Sequence, residues 1–309
     1  MLERTFIFDS YSCIKHRGTH FGINRLERHI LQESQNYREP CYVLKMDIRG
    51  YFMHINRQLL LDITLRRLRH MAWKQCCRSG IMTWKMCVDM DFVEYLSREI
   101  ILLNPTLGCF KHGNCEDWRM LPREKSLFCS PEGCGLPIGN LTSQLLSNVY
   151  LGELDDFVKR CLHCRHYGRY VDDFYVVSAD TTYLRSLIPK IREFLKDKLM
   201  LQLHEGKIQI CDVRYGVGFL GAFLKPHRRY VGISSLSRME RKVAMLRAKP
   251  DGLSFRSSAN SLLGILSHYR SFNIQRQMFL PIFTAWKFGY YVVRKRGLLY
   301  FASPVTGLE

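Results

Sequence analysis

The feature that most constrains the fold is a pair of adjacent aspartates between two strand-like runs. Residues 165–178, RHYGRYVDDFYVVS, carry aromatic and β-branched side chains on both sides of Asp172 and Asp173. Such side chains favour strands, so the pattern predicts a β-hairpin with the acidic pair at its turn. An Asp-Asp pair in a tight turn is more often ordinary turn chemistry, and alone it indicates no function.

A third carboxylate follows another strand-like run. Residues 41–46, CYVLKM, are mostly apolar and end at Asp47, as a buried strand does before it presents a carboxylate at its end. Three carboxylates at the ends of adjacent strands can share two divalent cations about 3.5–4 Å apart, the arrangement used for in-line phosphoryl transfer. Mg²⁺ suits such a site because it takes oxygen ligands and accepts substrate phosphates, and Mn²⁺ is a substitute.

The charge of the chain favours a polyanionic partner. Lys and Arg number 46 against 28 Asp and Glu, which gives a net charge of +18. Nucleic-acid affinity is dominated by phosphate neutralisation, although a basic solvated surface is the alternative interpretation. No apolar run reaches transmembrane length and the N-terminus lacks a secretory apolar stretch, so a cytoplasmic protein with no membrane partner is expected. The twelve cysteines are then expected to be reduced thiols.

Two short clusters contain residue types that bind zinc. They are Cys161, Cys164 and His166, and Cys109, His112 and Cys115. Neither cluster forms a complete set of four ligands, so core and surface thiols are expected rather than a structural zinc site.

The remaining elements follow from hydrophobic periodicity and turn residues. They are a helix over 142–162 capped by Thr142 or Ser143, a helix capped by Asp180 that contains Pro189, strands near 208–213 and 216–224, and basic helices from about 235 to the end. Between residues 66 and 133 the sequence gives only helical pieces and a loop rich in Cys, Gly and Pro. This order of elements predicts an α+β fold with a helical C-terminal part.

Six segments of the chain resemble motifs of reverse transcriptases, and they occur in the family's order. They are DSYSCIKHRGTH (Asp9 to His20, fingers), MDIRGYF (Met46 to Phe52, first carboxylate), GLPIGNLTSQ (Gly135 to Gln144, template and nucleotide binding), YVDDF (Tyr170 to Phe174, catalytic hairpin), HEGK (His204 to Lys207) and GVGFLG (Gly216 to Gly221, primer grip). Six ordered matches are far more specific than any one of them.

The resemblance implies a right-hand polymerase fold with fingers, a palm and a helical thumb. The implied domains are partial fingers at 1–40, a palm at 41–234 with an inserted fingers segment at about 66–134, and a thumb at 235–309. Relatives usually carry more fingers sequence before the DSYSC-like segment, so the resemblance implies fingers truncated at the N-terminus. The thumb residues that would face duplex phosphates are Arg238, Arg241, Lys242, Arg247 and Lys249.

The resemblance also implies roles for individual residues. Asp47, Asp172 and Asp173 would be catalytic and would bind two Mg²⁺ ions together with the backbone carbonyl of Ile48. Lys207 would protonate or neutralise the leaving pyrophosphate. The implied substrate-binding residues are Phe52, Ile138, Gly139, Gln144, Tyr170, Lys15 and Arg17.

Two of these substrate-binding roles depend on details of the motifs. The ring of Phe52 would lie beneath the incoming sugar and exclude a 2′-hydroxyl. Ile14 occupies the position where many relatives have a triphosphate-binding arginine, and Arg17 is favoured over Lys15 as its replacement.

The form of the central motif discriminates among subfamilies. IGNLTSQ, followed by NVYLGELDDFVKR and CRHYGRYVDDF, resembles enzymes of diversity-generating retroelements, with Ile138 where many reverse transcriptases have Gln. That lineage implies errors opposite template adenines, a template RNA and cDNA duplex, deoxynucleotide substrates, a small basic accessory protein and a bacterial or phage origin. The alternatives are a group II intron or retron type enzyme, and a nucleic-acid-binding relic without catalysis.

Overall fold

The computed structural model of the protein describes residues 2–79, 89–110, 112–248, 252–283, 290–293 and 299–302. The chain forms two compact units, Met1–Ile210 and Cys211–Glu309. Helices and strands occur in both units, and the predicted α+β class is confirmed. The predicted boundaries of fingers, palm and thumb stay predictions.

The first unit is built mainly of helices around one sheet. Its elements are α1 Thr19–Glu33, β1 Tyr42–Met46, α2 Tyr51–His54, α3 Arg57–Ser79, α4 Met90–Leu102, α5 Cys115–Met120, α6 Leu141–Asp156, β2 His166–Tyr170, β3 Asp173–Ser178, α7 Thr181–Leu199 and the start of β4, Gln209–Asp212.

The sheet has the strand order β2-β3-β1-β4, and β3 is antiparallel to both β1 and β2. The predicted strand at 41–46 and the predicted hairpin at 165–178 are therefore confirmed. Both faces of β3 are covered, since Phe174 to Val177 are all buried. Leu44 and Val176 pack into the main core together with residues of α6 and α7, whereas Tyr175 points toward α1, where its hydroxyl lies 3.1 Å from Nδ1 of His29.

The N-terminal segment lies along the outer edge of β2. Ser10 forms a parallel bridge with Arg169. The amide of Tyr11 donates to the carbonyl of Arg169 at 2.9 Å, and the amide of Arg169 donates to the carbonyl of Asp9 at 2.9 Å. Asp9 is fixed in turn by Arg25 of α1, whose Nε lies 2.6 Å from its carboxylate. Part of the segment that resembles a fingers motif is therefore bonded to the sheet.

Helix α6 runs through the core, with its buried side chains distributed around most of its circumference. The prediction that Thr142 or Ser143 caps it is wrong. The helix begins at Leu141, and Asn140 is the N-cap residue because its backbone is still extended. Beyond Asp156 the helical path continues as a π-helical turn, Phe157–Cys161. The predicted run to about residue 162 is therefore helical, with a change of hydrogen bonding near its end.

Helix α7 matches its prediction closely. The side chain of Asp180 accepts a hydrogen bond of 2.7 Å from the amide of Thr182, which is a standard N-cap. Its buried residues are Leu184, Leu187, Ile191, Leu195 and Leu199, and Pro189 lies inside the helix. The predicted helix after Asp180 is therefore confirmed.

The second unit combines a small sheet with helices. Its elements are β5 Val217–Phe219, β6 Ala222–Lys225, β7 Arg228–Val231, α8 Ile233–Ala248, α9 Gly252–Leu266, α10 Phe272–Phe283, β8 Tyr290–Val293 and β9 Leu299–Ala302. Strands β5, β6 and β7 form an antiparallel meander, and α8 to α10 supply most of a second core.

Two predictions for the second unit are corrected. The stretch 216–224 is two strands, because Leu220 and Gly221 both have positive φ (48° and 79°) and form the tight turn of a hairpin. The helical pattern does not continue to the end, because β8 and β9 pair as an antiparallel hairpin. Their sequences, YYVV and LYFA, are rich in the aromatic and β-branched residues that favour strands.

The basic residues that were predicted to lie in a thumb differ in their surroundings. Arg238, Arg241 and Lys242 are exposed on α8. The guanidinium of Arg247 donates to the carbonyls of Gln277 and Met278 of α10, so this side chain makes hydrogen bonds within the second unit. Lys249 lies outside the described residues.

The cysteine clusters contain free thiols. Cys161 and Cys109 are exposed, while Cys164 is buried with its sulfur 3.3 Å from the hydroxyl of Tyr183. The side chain of Cys115 lies outside the described part of the structure. No helix in the described ranges is long and apolar enough to cross a membrane.

Candidate active site

The carboxylates that sequence analysis singled out meet at one end of the sheet. Met46 at the end of β1 is opposite Phe174 of β3, so Asp47 follows directly beside Asp173. Tyr170 is opposite Asp173, which leaves Val171 and Asp172 as a two-residue turn. The first carboxylate motif and the hairpin motif therefore converge although they are far apart in sequence.

The electrostatics of the site are those of crowded negative charges. Burial and repulsion from Asp47 raise the pKa of Asp172. Burial, followed by repulsion from Asp47 and Asp172, raises the pKa of Asp173 to about 6. Asp47 itself is only 6% exposed. Partly desolvated carboxylates that repel one another are stabilised by a cation, because opposite charge favours their ionised form.

A lysine already supplies one positive charge. The ammonium of Lys207 lies 2.8 Å from Oδ2 of Asp47, and this hydrogen bond raises the pKa of Lys207. The backbone of the same segment is also fixed to the first motif, since the amide of His204 donates to the carbonyl of Asp47 at 2.8 Å. The structure therefore brings Lys207 to the carboxylates, as the resemblance of its motif implied, and keeps it protonated.

The chemical type of the donor atoms suits a hard divalent cation. They are carboxylate oxygens and a backbone carbonyl. In the β-bridge between Ile48 and Leu203, the carbonyl of Asp47 accepts from His204, and the carbonyl of Ile48 takes no part in that hydrogen bond. Oxygen ligands are those that Mg²⁺ prefers. Within the described residues, no three His, Cys, Asp or Glu side chains already stand in a metal-binding arrangement. A bound ion would have to share Asp47 with Lys207.

The predicted nucleotide-binding segment is attached to the first carboxylate motif. The amide of Leu136 donates to the carbonyl of Phe52, and that of Gly135 donates to the carbonyl of Ile55, both at 2.9 Å. Phe52 is half-buried, with its ring packed against Tyr51. The structure thus places Phe52 directly against the segment that was predicted to bind template and nucleotide.

The next residues of that segment form a turn that leads into α6. Ile138 is 70% exposed, and the following Leu141 is 81% exposed. Gly139 has φ +110°, a conformation that favours glycine, and has open space around its Cα. Gln144 is half-buried in the first turn of α6. These side chains are accessible to a ligand, and their roles stay predictions.

The two candidates for triphosphate binding differ in their partners. Lys15 is exposed. The guanidinium of Arg17 donates to the carbonyls of Ile7 and Ser10 at 3.1 and 2.9 Å and lies over the ring of Phe8. Arg17 therefore stabilises the N-terminal segment in this structure, and the phosphate-binding role of Lys15 or Arg17 stays a prediction.

Sequence reasoning missed other charged residues near the site. Lys45 of β1 lies close enough to Asp173 to lower its pKa, although burial and repulsion outweigh this effect. In the sequence, Lys45 is a single lysine in an apolar run. It lies two residues before Asp47, so the two side chains are on the same face of the strand. Arg169 and Asp155 form a buried ion pair behind the hairpin. The sequence indicated them only as a charged residue in a predicted strand (Arg169) and a charged residue in a predicted core helix (Asp155).

Comparison with known proteins defines the class. A family model described as reverse transcriptase (RNA-dependent DNA polymerase) matches residues 2–224. The chain therefore belongs to the reverse transcriptase family. No protein of curated function matches the sequence.

Solved structures similar to this chain include telomerases. Apo telomerase from Candida tropicalis is 12% identical, with a TM-score of 0.47, and the match covers 90% of this chain and 48% of that one. Telomerase from Candida albicans in complex with a fragment of telomeric RNA is 9% identical, with a TM-score of 0.42, over 88% of this chain and 46% of that one. The chain spans about half the length of these telomerase chains.

Proposed function

We propose that this protein is an RNA-directed DNA polymerase whose active site is formed by Asp47, Asp172 and Asp173. The observation that supports the proposal most directly is the pairing of β1 with β3, which brings Asp47 beside the acidic turn of a hairpin. Membership of the reverse transcriptase family supports the same reaction class. The net charge of +18 favours the nucleic-acid template and primer as partners.

The residues of the site would have different roles in nucleotide transfer. When bound, two Mg²⁺ ions would activate the primer 3′-hydroxyl and stabilise the charge of the transferred phosphoryl group and the leaving pyrophosphate. Asp47, Asp172 and Asp173 would hold these ions, together with the carbonyl of Ile48. Lys207, kept protonated by Asp47, can supply a positive charge and a proton for the pyrophosphate.

Primer extension tests this function. The purified chain with oligo(dT) annealed to poly(rA), dTTP and Mg²⁺ is expected to extend the primer. An Asp172→Ala variant is expected to lose at least about 10³-fold in rate, since several kcal/mol of charge stabilisation depend on the carboxylates. Template binding without extension by the unaltered chain would instead favour a nucleic-acid-binding relic.

Replacement of Phe52 by Val is expected to relax the choice of sugar. The ring of Phe52 would lie beneath the deoxyribose, and its removal would create room for a 2′-hydroxyl. The ratio of kcat/KM for UTP to that for dTTP should rise by about 10- to 100-fold, the scale of steric discrimination in a pocket. Phe194→Val, which alters an aromatic residue stacked on Phe157 of the core, should leave the ratio unchanged. An unchanged ratio in Phe52→Val would refute this role.

We further propose that the enzyme belongs to a diversity-generating retroelement and makes errors at template adenines. The support is the resemblance of the segment around Ile138, whose exposed apolar side chain gives only packing contacts where Gln would give hydrogen bonds. A small basic accessory protein is the partner implied by this lineage, and co-purification from a host that carries the element would detect it.

The Ile138→Gln variant tests the source of the errors. Sequencing of cDNA should show about tenfold fewer misincorporations opposite adenine, because a hydrogen-bonding side chain discriminates the nascent pair more strictly than packing does. Leu141→Gln is a matched control, since Leu141 is a neighbouring exposed apolar residue. An unchanged adenine error rate in Ile138→Gln, or the same reduction in the control, would count against the proposal.

A further inference from the structure

The catalytic hairpin is supported from behind by an arginine that is completely buried. Arg169 lies on β2, two residues before the turn residue Val171, and its side chain is 0% exposed. Its guanidinium makes two parallel bonds to Asp155 of α6: Nε donates to Oδ1 at 2.8 Å and Nη2 donates to Oδ2 at 2.7 Å. Asp155 is only 1% exposed. The pair is therefore fully desolvated and geometrically fixed.

The rest of the guanidinium is directed at the turn. Nη1 of Arg169 donates to the carbonyl of Val171 at 2.9 Å and to Oδ1 of Asn148 at 3.2 Å. Val171 has φ +56°, which is a genuine outlier for a β-branched residue. Strained backbone of this kind persists only where the surroundings over-determine it. The bond from Arg169 is a charge-assisted contact that holds this strained residue in place.

Both the main chain and the helix behind it are also fixed. The amide and carbonyl of Arg169 are bonded to the N-terminal segment at Asp9 and Tyr11. Asp155 accepts a further bond of 2.7 Å from the hydroxyl of Tyr167. Asn148 and Asp155 are seven residues apart on α6 and so share one face of it. The helix that follows the predicted nucleotide-binding segment therefore also anchors the catalytic hairpin.

We infer that Arg169, oriented by Asp155, is a positioning residue that holds the Val171–Asp172 turn and thereby sets the carboxylates of Asp172 and Asp173. This inference rests on the proposed function of those carboxylates. Stability alone does not account for the pair, because a buried ion pair can often be replaced by apolar side chains without loss of stability. The planar fork of arginine makes two parallel bonds to a carboxylate while a third N–H points to a carbonyl, and the single nitrogen of lysine cannot reproduce this paired geometry.

A double replacement separates positioning from stability. Arg169→Met with Asp155→Leu removes both charges and leaves no unpaired buried ion, so the protein should still fold. Its melting temperature should fall only by the effect of the lost bonds to Tyr167, Asn148 and Val171. Affinity for Mn²⁺, measured by electron paramagnetic resonance without nucleotide, should fall by about 10- to 100-fold, as for the loss of groups that orient metal ligands. In primer extension, kcat should fall by about 100-fold while KM for dTTP stays nearly constant.

Two further variants make each outcome decisive. Arg67→Met breaks another arginine contact with α6, the bonds to Glu153 and Asp156, and should leave Mn²⁺ affinity unchanged. Arg169→Lys keeps the charge opposite Asp155 and should still lose most of the Mn²⁺ affinity. If the double variant fails to fold, Arg169→Lys decides the question alone.

Failure of the inference differs from failure of the proposed function. A folded double variant or Arg169→Lys protein with normal Mn²⁺ affinity and normal kcat would overturn the inference, while the unaltered chain still extends primers. If the unaltered chain neither binds Mn²⁺ nor extends primers, the proposed function itself is wrong, and the inference falls with it.

Discussion

Replacing Asp173 by Asn should abolish DNA synthesis without lowering the melting temperature of the metal-free protein. Asp173 lies beside Asp47 and near Asp172, and these carboxylates repel one another when no cation is bound. The amide keeps the shape of the side chain and removes one negative charge. We expect kcat to fall by at least about 10³-fold. In EDTA the melting temperature should rise by about 2–4 °C, which corresponds to roughly 1 kcal/mol in a protein of this size.

The two effects are measured on the same preparations. Primer extension gives the rate, and thermal unfolding in EDTA and in Mg²⁺ gives the stability. Mg²⁺ should raise the melting temperature of the unaltered protein more than that of the variant, because an ion that binds only the folded state stabilises it. Asp197→Asn, at an exposed carboxylate of α7, should change neither property. An active Asp173→Asn enzyme would show that this carboxylate is no metal ligand, and a lower melting temperature in EDTA would show that its charge stabilises the fold.

Replacing Gly168 by Ala should destabilise the first unit strongly. Gly168 lies on β2 where two tyrosines meet, and the hydroxyls of Tyr11 and Tyr175 are 2.8 Å apart. An added Cβ would come against the hydroxyl of Tyr11 and within 2.6 Å of that of Tyr175. The backbone of Gly168 does not need a positive φ, so the penalty is purely steric. The overpacking should lower the free energy of unfolding by about 3 kcal/mol, which corresponds to a fall of roughly 6–12 °C in melting temperature.

Removal of the two hydroxyls tests this cause. Gly168→Ala combined with Tyr11→Phe and Tyr175→Phe should regain part of the lost stability, because the nearest obstructing atoms are gone. Gly206→Ala is the control, since a Cβ there meets only ordinary contacts with His204. A Gly168→Ala protein that unfolds at the same temperature as the unaltered chain would contradict the steric argument.

Elements with a local pattern could be predicted from the sequence. The apolar run before Asp47, the hairpin around Asp172 and the helix capped by Asp180 each carry their signal within a few residues. Helix α6 begins at Leu141, before the predicted cap residues Thr142 and Ser143. The N-cap is Asn140, because it is the last residue with an extended backbone before the helix. The hairpin of β8 and β9 contradicts the helical prediction, since strand propensity in YYVV and LYFA outweighs the basic composition of the region.

The candidate site could be predicted only in part. The positions of the carboxylates at strand ends, and the family resemblance for Lys207, predicted that Asp47, Lys207 and the hairpin come together, and their adjacency is observed. The support behind them could not be predicted, because the pairing of Arg169 with Asp155 joins a strand to a helix and leaves no periodic pattern. The chemical roles of the carboxylates stay predictions until synthesis is measured.

The bonds between the N-terminal segment and β2 have a consequence for self-association. An edge strand with free amides and carbonyls is a template on which a second chain can add. Here the outward-facing amide and carbonyl of Arg169 are both occupied by Asp9 and Tyr11. Removal of this segment would leave the amide and carbonyl of Arg169 unpaired at the edge of the sheet, beside the hairpin of Asp172 and Asp173, and should promote aggregation. The same short stretch of chain should therefore limit the addition of a second chain at this position of the edge.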